Sequence, residues 1–211
     1  MFPFTTCEIN TNGVVAQPFS AVVNAMTCLV LLALLCIAKT MPVKTVLGVY
    51  ALFEAWHAFS HMKHISGNIQ RDVVHVLAYM MSFATFYAIL SLSNDKSSYS
   101  HLLAILFLAI IVDIYIWLYV KGVWTAFSGL LVFAVILFGN YDRLPSFFKA
   151  CIPYLSLGLL LLFGLIANEN YNCERMMTYK VLPYHAIVEI LGFVLFVFLA
   201  ILFLKWEECV H

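Results

Sequence analysis

Two pairs of ionisable side chains are spaced so that each pair could chelate one metal ion. His57 and His61 stand four residues apart, and so do His185 and Glu189. On a helix, positions i and i+4 lie one above the other on the same face. Two facing helices that each offer such a pair resemble the metal sites built inside helical bundles. Two imidazoles and one carboxylate suit zinc and leave its fourth position open, as in catalytic zinc centres. Two of the three histidines, together with Glu189, therefore read as metal ligands. Asp72 is read as the group that orients an attacking water or takes its proton, since zinc lowers the pKa of such a water to about 7. Glu54 precedes His57 by one turn and His61 by two, on the same stripe, where it could fix an imidazole tautomer.

A lone histidine near a helix end usually just makes a hydrogen bond at the interface. His64, His75 and His101 have no partner pattern and are read that way. Asp113 sits in the middle of an apolar run and is read as a carboxyl hydrogen-bonded inside the bundle. The metal reading rests on convergence, two i, i+4 pairs and an aspartate brought to one place.

Apolar spans would bring them there. The chain has 211 residues, 64% hydrophobic and 10% charged. A soluble domain carries roughly 25% charged residues, so lipid must be part of the solvent. A span needs about 20 apolar residues. Seven windows qualify: Phe19 to Ile37, Val46 to Met62, Val73 to Leu92, Leu102 to Val120, Val123 to Gly139, Cys151 to Ala167 and Tyr184 to Leu204. Backbone groups in hydrocarbon must pair internally, which makes these windows helices. The expected fold is an all-α membrane protein, one seven-transmembrane helical bundle over 1–211. Residues 1–18 form a luminal or extracellular N-terminal segment and 205–211 a cytosolic tail. The N-terminal segment lacks a basic n-region, so the first window reads as an uncleaved signal anchor.

Parity does the rest. Even-numbered spans end, and later odd-numbered spans begin, on the face that holds the N-terminus. His57, His61, Asp72, His185 and Glu189 all fall near that face. Ionisable groups within spans are expensive and by default mark a functional site. Orientation is weakly encoded, with six basic residues on one side against five on the other. The N-terminal segment has no Lys or Arg, while the first loop has Lys39 and Lys44. The N-terminus is therefore placed outside or in a lumen and the C-terminus in the cytosol. Cys7 and Cys173 then share an oxidising compartment, and a Cys7–Cys173 disulfide is expected. Cys28, Cys36 and Cys151 read as small apolar residues and Cys209 as part of the tail.

Several stretches together resemble the alkaline ceramidases, and through them the seven-span metal hydrolases that include the progestin/adipoQ receptors. The family has Ser four residues before a His, then Asp eleven residues after it. His61 and Asp72 match the latter two. At the last span the family has His-x-x-x-His, and here His185 is kept and Glu189 replaces the second, so the resemblance implies His61, His185 and Glu189 as the metal ligands. The Leu157-Gly158 to Cys173 stretch and Cys7-Glu8-Ile9-Asn10 also match. Gln17-Pro18-Phe19, with Ser20 and Asn24, sits where the family has Glu-Phe-Trp-Asn. The resemblance covers nearly the whole chain.

The departures are chemical. His57 stands at the family's Ser, which is thought to steady the oxyanion. An imidazole could donate that hydrogen bond or close the site as a fourth ligand. Of the family's calcium site only Glu8 and Asn10 remain, with Thr5 and Gln17 where acids are expected. Calcium wants several carboxylate oxygens, so weak or absent calcium binding is expected.

The resemblance implies a zinc-dependent integral-membrane hydrolase in the endoplasmic reticulum, Golgi or cell membrane. It would cleave the amide bond of a bilayer lipid such as ceramide. The alternative is a non-enzymatic seven-span lipid-binding or receptor-like protein with a structural zinc. No basic run points to nucleic acid. Retinal is excluded because the last window has no Lys for a Schiff base, and no internal repeat suggests a transporter.

Overall fold

The computed structural model describes residues 13–63, 67–93, 134–176 and 183–210, with scattered positions between 103 and 132. Among the described residues the chain is helical, without strands. Five long helices organise it: α1 (Pro18–Ile37), α2 (Met41–Lys63), α3 (Gly67–Leu92), α4 (Ser146–Met176) and α5 (Tyr184–Val210). A short 3-10 turn, Tyr141–Arg143, precedes α4.

Among the described residues, four helical stretches are long and apolar enough to cross a membrane: Pro18–Ile37, Asp72–Leu92, Ser146–Glu169 and Tyr184–Val210. α2 has the length but carries Glu54, His57, Ser60 and His61 along it. The expected fourth and fifth windows fall largely outside the described residues. The outer surface is apolar, with Leu29, Leu160, Leu161, Tyr154 and Val194 all exposed. Monomeric soluble proteins rarely present so much contiguous apolar surface, and lipid is the solvent that suits it.

Helix boundaries follow local chemistry. Pro18 starts α1, where its missing N–H costs nothing. Side-chain hydroxyls within the spans donate to carbonyls one turn back: Thr27 to Val23, Thr45 to Met41 and Ser156 to Ile152. Such bonds satisfy a polar group where no water can. α4 tolerates Pro153 in its interior, as membrane helices do when neighbours support the freed carbonyl.

The ends differ from expectation. α4 runs on to Met176, so Asn168 to Met176 is helix and not connection. α5 continues through Lys205 to Val210, so the expected tail is the end of a helix. The reason is burial: Trp206 and Glu207 are covered. Trp206 stacks on Phe203, with Phe148 edge-on to both. Cys209 lies in this last turn and is exposed.

The core sits among α1, α2 and α5, with α3 against α2 and α4 against α5. Tyr50, Val43, Val46, Leu47, Leu31 and Phe203 are fully buried in it. At the end away from the histidines, the Glu207 carboxylate accepts hydrogen bonds from the Lys39 and Thr40 backbone N–H groups and the Thr40 hydroxyl. The last turn of α5 thus supplies the N-terminal cap of α2. A carboxylate there satisfies orphan donors and complements the helix dipole.

Candidate metal centre

The site is built where the end of α2 meets the start of α5. His61 Nε2 lies 3.4 Å from Glu189 Oε1, and His185 Nε2 lies 2.9 Å from the same oxygen. One ligand atom from each of His61, His185 and Glu189 lies within 4.8 Å of the others. Among the described residues this is the one group of His, Cys, Asp and Glu that could hold a metal ion. All three side chains are largely buried. The two imidazole centroids are 5.1 Å apart.

The other ring nitrogens explain the orientation. His61 Nδ1 is 2.7 Å from Gln17 Oε1. His185 Nδ1 is 2.9 Å from both carboxylate oxygens of Glu169. Each partner is an acceptor, so each Nδ1 donates. That tautomer leaves a lone pair on each Nε2. Two lone pairs and a carboxylate oxygen then converge, an arrangement that repels itself unless a cation or a shared proton sits among them. The donor set fits zinc. Zinc bonds of about 2.0–2.1 Å at tetrahedral angles separate ligand atoms by roughly 3.3 Å. The His61 separation already has that value, and the His185 separation needs to open by a few tenths of an ångström.

Gln17 and Glu169 are the residues that sequence reasoning left without this role. By sequence Gln17 stands only at a calcium-site position. In the structure it occupies the N-cap of α1 but makes no side-chain cap bond there. Its amide goes to His61 instead. Its backbone N–H bonds the His61 carbonyl, and Ala16 N–H bonds that of Met62. These bonds satisfy the frayed end of α2 and pin the N-terminal end of α1 to the site. Glu169 comes from α4, two residues beyond the expected end of that span at Ala167. The same parity that placed His185 would have placed it. Next to it, Asn168 donates to the Tyr184 hydroxyl, which donates to the Leu165 carbonyl. α4 and α5 are thereby tied at the site.

The remaining expected residues divide. His57 stands outside the three-residue group, its ring 6.4 Å from that of His61 and edge-on to Phe53 at 4.4 Å. Its Nδ1 is buried without a hydrogen-bond partner among the described residues. Asp72 is exposed on α3 and is not among the clustered ligands. Glu54 is buried on α2, 3% exposed, and within electrostatic range of Glu189. His75 pairs edge-on with Tyr79, away from the group. Cys7, Glu8, Asn10, His64, His101, Asp113 and the side chain of Cys173 lie outside the described residues, and with them the expected disulfide and calcium remnant. Cys28, Cys36, Cys151 and Cys209 are free thiols.

No family model, no curated protein and no solved structure matches this chain.

Proposed function

We propose that the chain is a seven-span, zinc-dependent membrane hydrolase that cleaves the amide bond of a bilayer lipid such as ceramide, on the face that holds its N-terminus. The observation that carries this reading is the convergence of two Nε2 lone pairs and the Glu189 carboxylate, with both imidazoles anchored from behind. Carboxylate or amide acceptors behind metal-bound histidines are what hold such ligands in place. The resemblance of the His61, Asp72 and His185 spacing to the alkaline ceramidases supplies the reaction class.

A zinc ion held by these three residues would polarise the amide carbonyl and acidify the attacking water. His57, whose ring lies 6.4 Å from that of His61, is assigned the hydrogen bond to the developing oxyanion. Donors in that position contribute strongly in a site shielded from water. Asp72 is assigned the proton released from the water, which it would hand on to the departing nitrogen. The acyl carbon gains the water oxygen, the C–N bond breaks and a proton reaches the departing nitrogen.

The alternative, a receptor-like relative with a structural zinc, calls for four protein ligands. Three residues cluster, with His57 outside them, and this supports an open site. Protein purified without chelator should hold about one zinc by mass spectrometry, and His61→Ala should lose both the zinc and ceramide hydrolysis. Zinc bound without turnover of any lipid amide would sink the hydrolase reading and leave the site.

A further inference from the structure

Beneath the His61, His185 and Glu189 cluster, three helices bring buried polar groups to one depth in the bundle. Gln17 of α1 meets His61 of α2 through both side chain and backbone. The two helices run antiparallel from there. Asn24 and Glu54 each lie seven residues further in, about 10 Å at 1.5 Å per residue. Both are buried, 1% and 3% exposed. Asn24 belongs to the covered stripe of α1 with Ser20, Ala21, Thr27 and Leu31. Cys28, one turn on, is within electrostatic range of Glu54. The third helix is keyed to the same depth by the 2.8 Å bond between the Tyr50 and Thr85 hydroxyls. Ser82 lies roughly 4.5 Å above Thr85, and Glu54 roughly 6 Å above Tyr50.

Asn24, Ser82 and His57 lack the partners that hydrocarbon demands. Both side-chain polar atoms of Asn24, Ser82 Oγ and His57 Nδ1 are buried without hydrogen bonds among the described residues. The described ion pairs of the buried acids use Glu169 and Glu189 and leave Glu54 out. A protonated Glu54 could donate to the Asn24 amide oxygen, yet Asn24 Oδ1 has no partner. There is also room. On α5 the stripe His185, Glu189, Gly192, Phe196 faces α2, and a Cβ added at Gly192 would meet no atom within 4 Å. Phe196 packs edge-on against Tyr50 and Phe53 and closes the space below.

We propose that Glu54, Asn24 and Ser82 hold a sodium ion in this chamber. The carboxylate, amide and hydroxyl oxygens are hard ligands. One negative charge matches a monovalent cation and not a divalent one, which takes more carboxylates. Water on the ion would accept from Asn24 Nδ2 and bond His57 Nδ1. The cation also offsets the repulsion between Glu54 and Glu189. This site is separate from the zinc ligands and does not depend on what the metal centre hydrolyses.

Thermal unfolding of the purified full chain tests it, in sodium chloride against choline chloride at equal ionic strength. Sodium at ten times its dissociation constant should raise the midpoint by about 3–6 °C. Glu54→Gln should abolish that rise while keeping the zinc content. Should Glu54→Gln not fold, wild type still tests the proposal. Its ²³Na resonance should broaden on adding protein, and Ser82→Ala should weaken the effect. Equal midpoints in the two salts, as for a chamber filled by water alone, would overturn the proposal. So would a sodium dependence that survives Glu54→Gln. Neither readout uses hydrolysis, so the result stands whatever becomes of the hydrolase reading.

Discussion

Glu169 and Gln17 hold the far nitrogen of each clustered imidazole, and through it would act on a bound metal. Removing such a partner frees the ring to rotate and lowers its basicity, with metal affinity typically falling 10–100-fold. Glu169→Ala should weaken zinc binding by that amount, read by competition with a chromogenic chelator. Gln17→Ala should do the same to a smaller degree, because a neutral amide accepts more weakly than a carboxylate. An unchanged affinity in both variants would mean that the anchoring bonds do not serve the metal. His57 and Asp72 stand outside the ligand group. Substituting either should therefore leave zinc content intact while lowering turnover. For His57→Ala the loss should be about 10²–10³-fold, the magnitude of removing one oxyanion donor.

Two contacts between helices set the frame on which those residues sit. Glu207 joins the end of α5 to the start of α2, the two helices that carry all three ligands. Glu207→Ala would leave two backbone N–H groups and the Thr40 hydroxyl without their acceptor. A buried donor left unsatisfied costs about 1–3 kcal/mol. The unfolding midpoint should drop by several degrees, and Glu207→Gln, which keeps one acceptor oxygen, should fall between. At the other contact, a Cβ on Gly158 of α4 would run into the Leu195 side chain of α5. Gly158→Leu should force the helices apart at a cost of about 1–3 kcal/mol. Because α4 delivers Glu169 to His185, zinc affinity should fall along with stability. Loss of stability alone, with zinc affinity kept, would mean that Glu169 is positioned locally by the Tyr184–Asn168 bonds.

For the molecule as a whole, metal and fold should be linked. The clustered side chains come from α2 and α5, and their anchors from α1 and α4, so one ion bound there would tie four helices. An ion that binds only the folded state stabilises it by mass action. Stripping zinc with a chelator should lower the unfolding midpoint of wild type by several degrees and leave His61→Ala unmoved. With apolar side chains covering the outer faces of the spans, the protein should stay in the membrane pellet through alkaline carbonate extraction. Release into the supernatant would contradict the membrane reading.

The sequence alone determined that the chain is helical and meant for lipid. Composition and run length depend only on which residues occur, and hydrocarbon permits few structures for such runs. It also brought His57, His61, His185 and Glu189 to one end of the bundle, because i, i+4 spacing and span parity are properties of the chain order, and the packed helices then drew His61, His185 and Glu189 into one cluster. Tertiary structure decided what lies behind those ligands. Gln17 and Glu169 belong to helices distant in sequence, and their roles depend on how α1 and α4 dock, which no local pattern encodes. Helix ends were misjudged for a related reason: Asn168 to Met176 and Lys205 to Val210 are polar enough to read as loop, yet packing keeps them helical. The space beside Gly192, with the partnerless Asn24 and Ser82 at its depth, likewise exists only once three helices face one another. A sequence lists polar residues, but only the packed bundle shows which of them lack a partner.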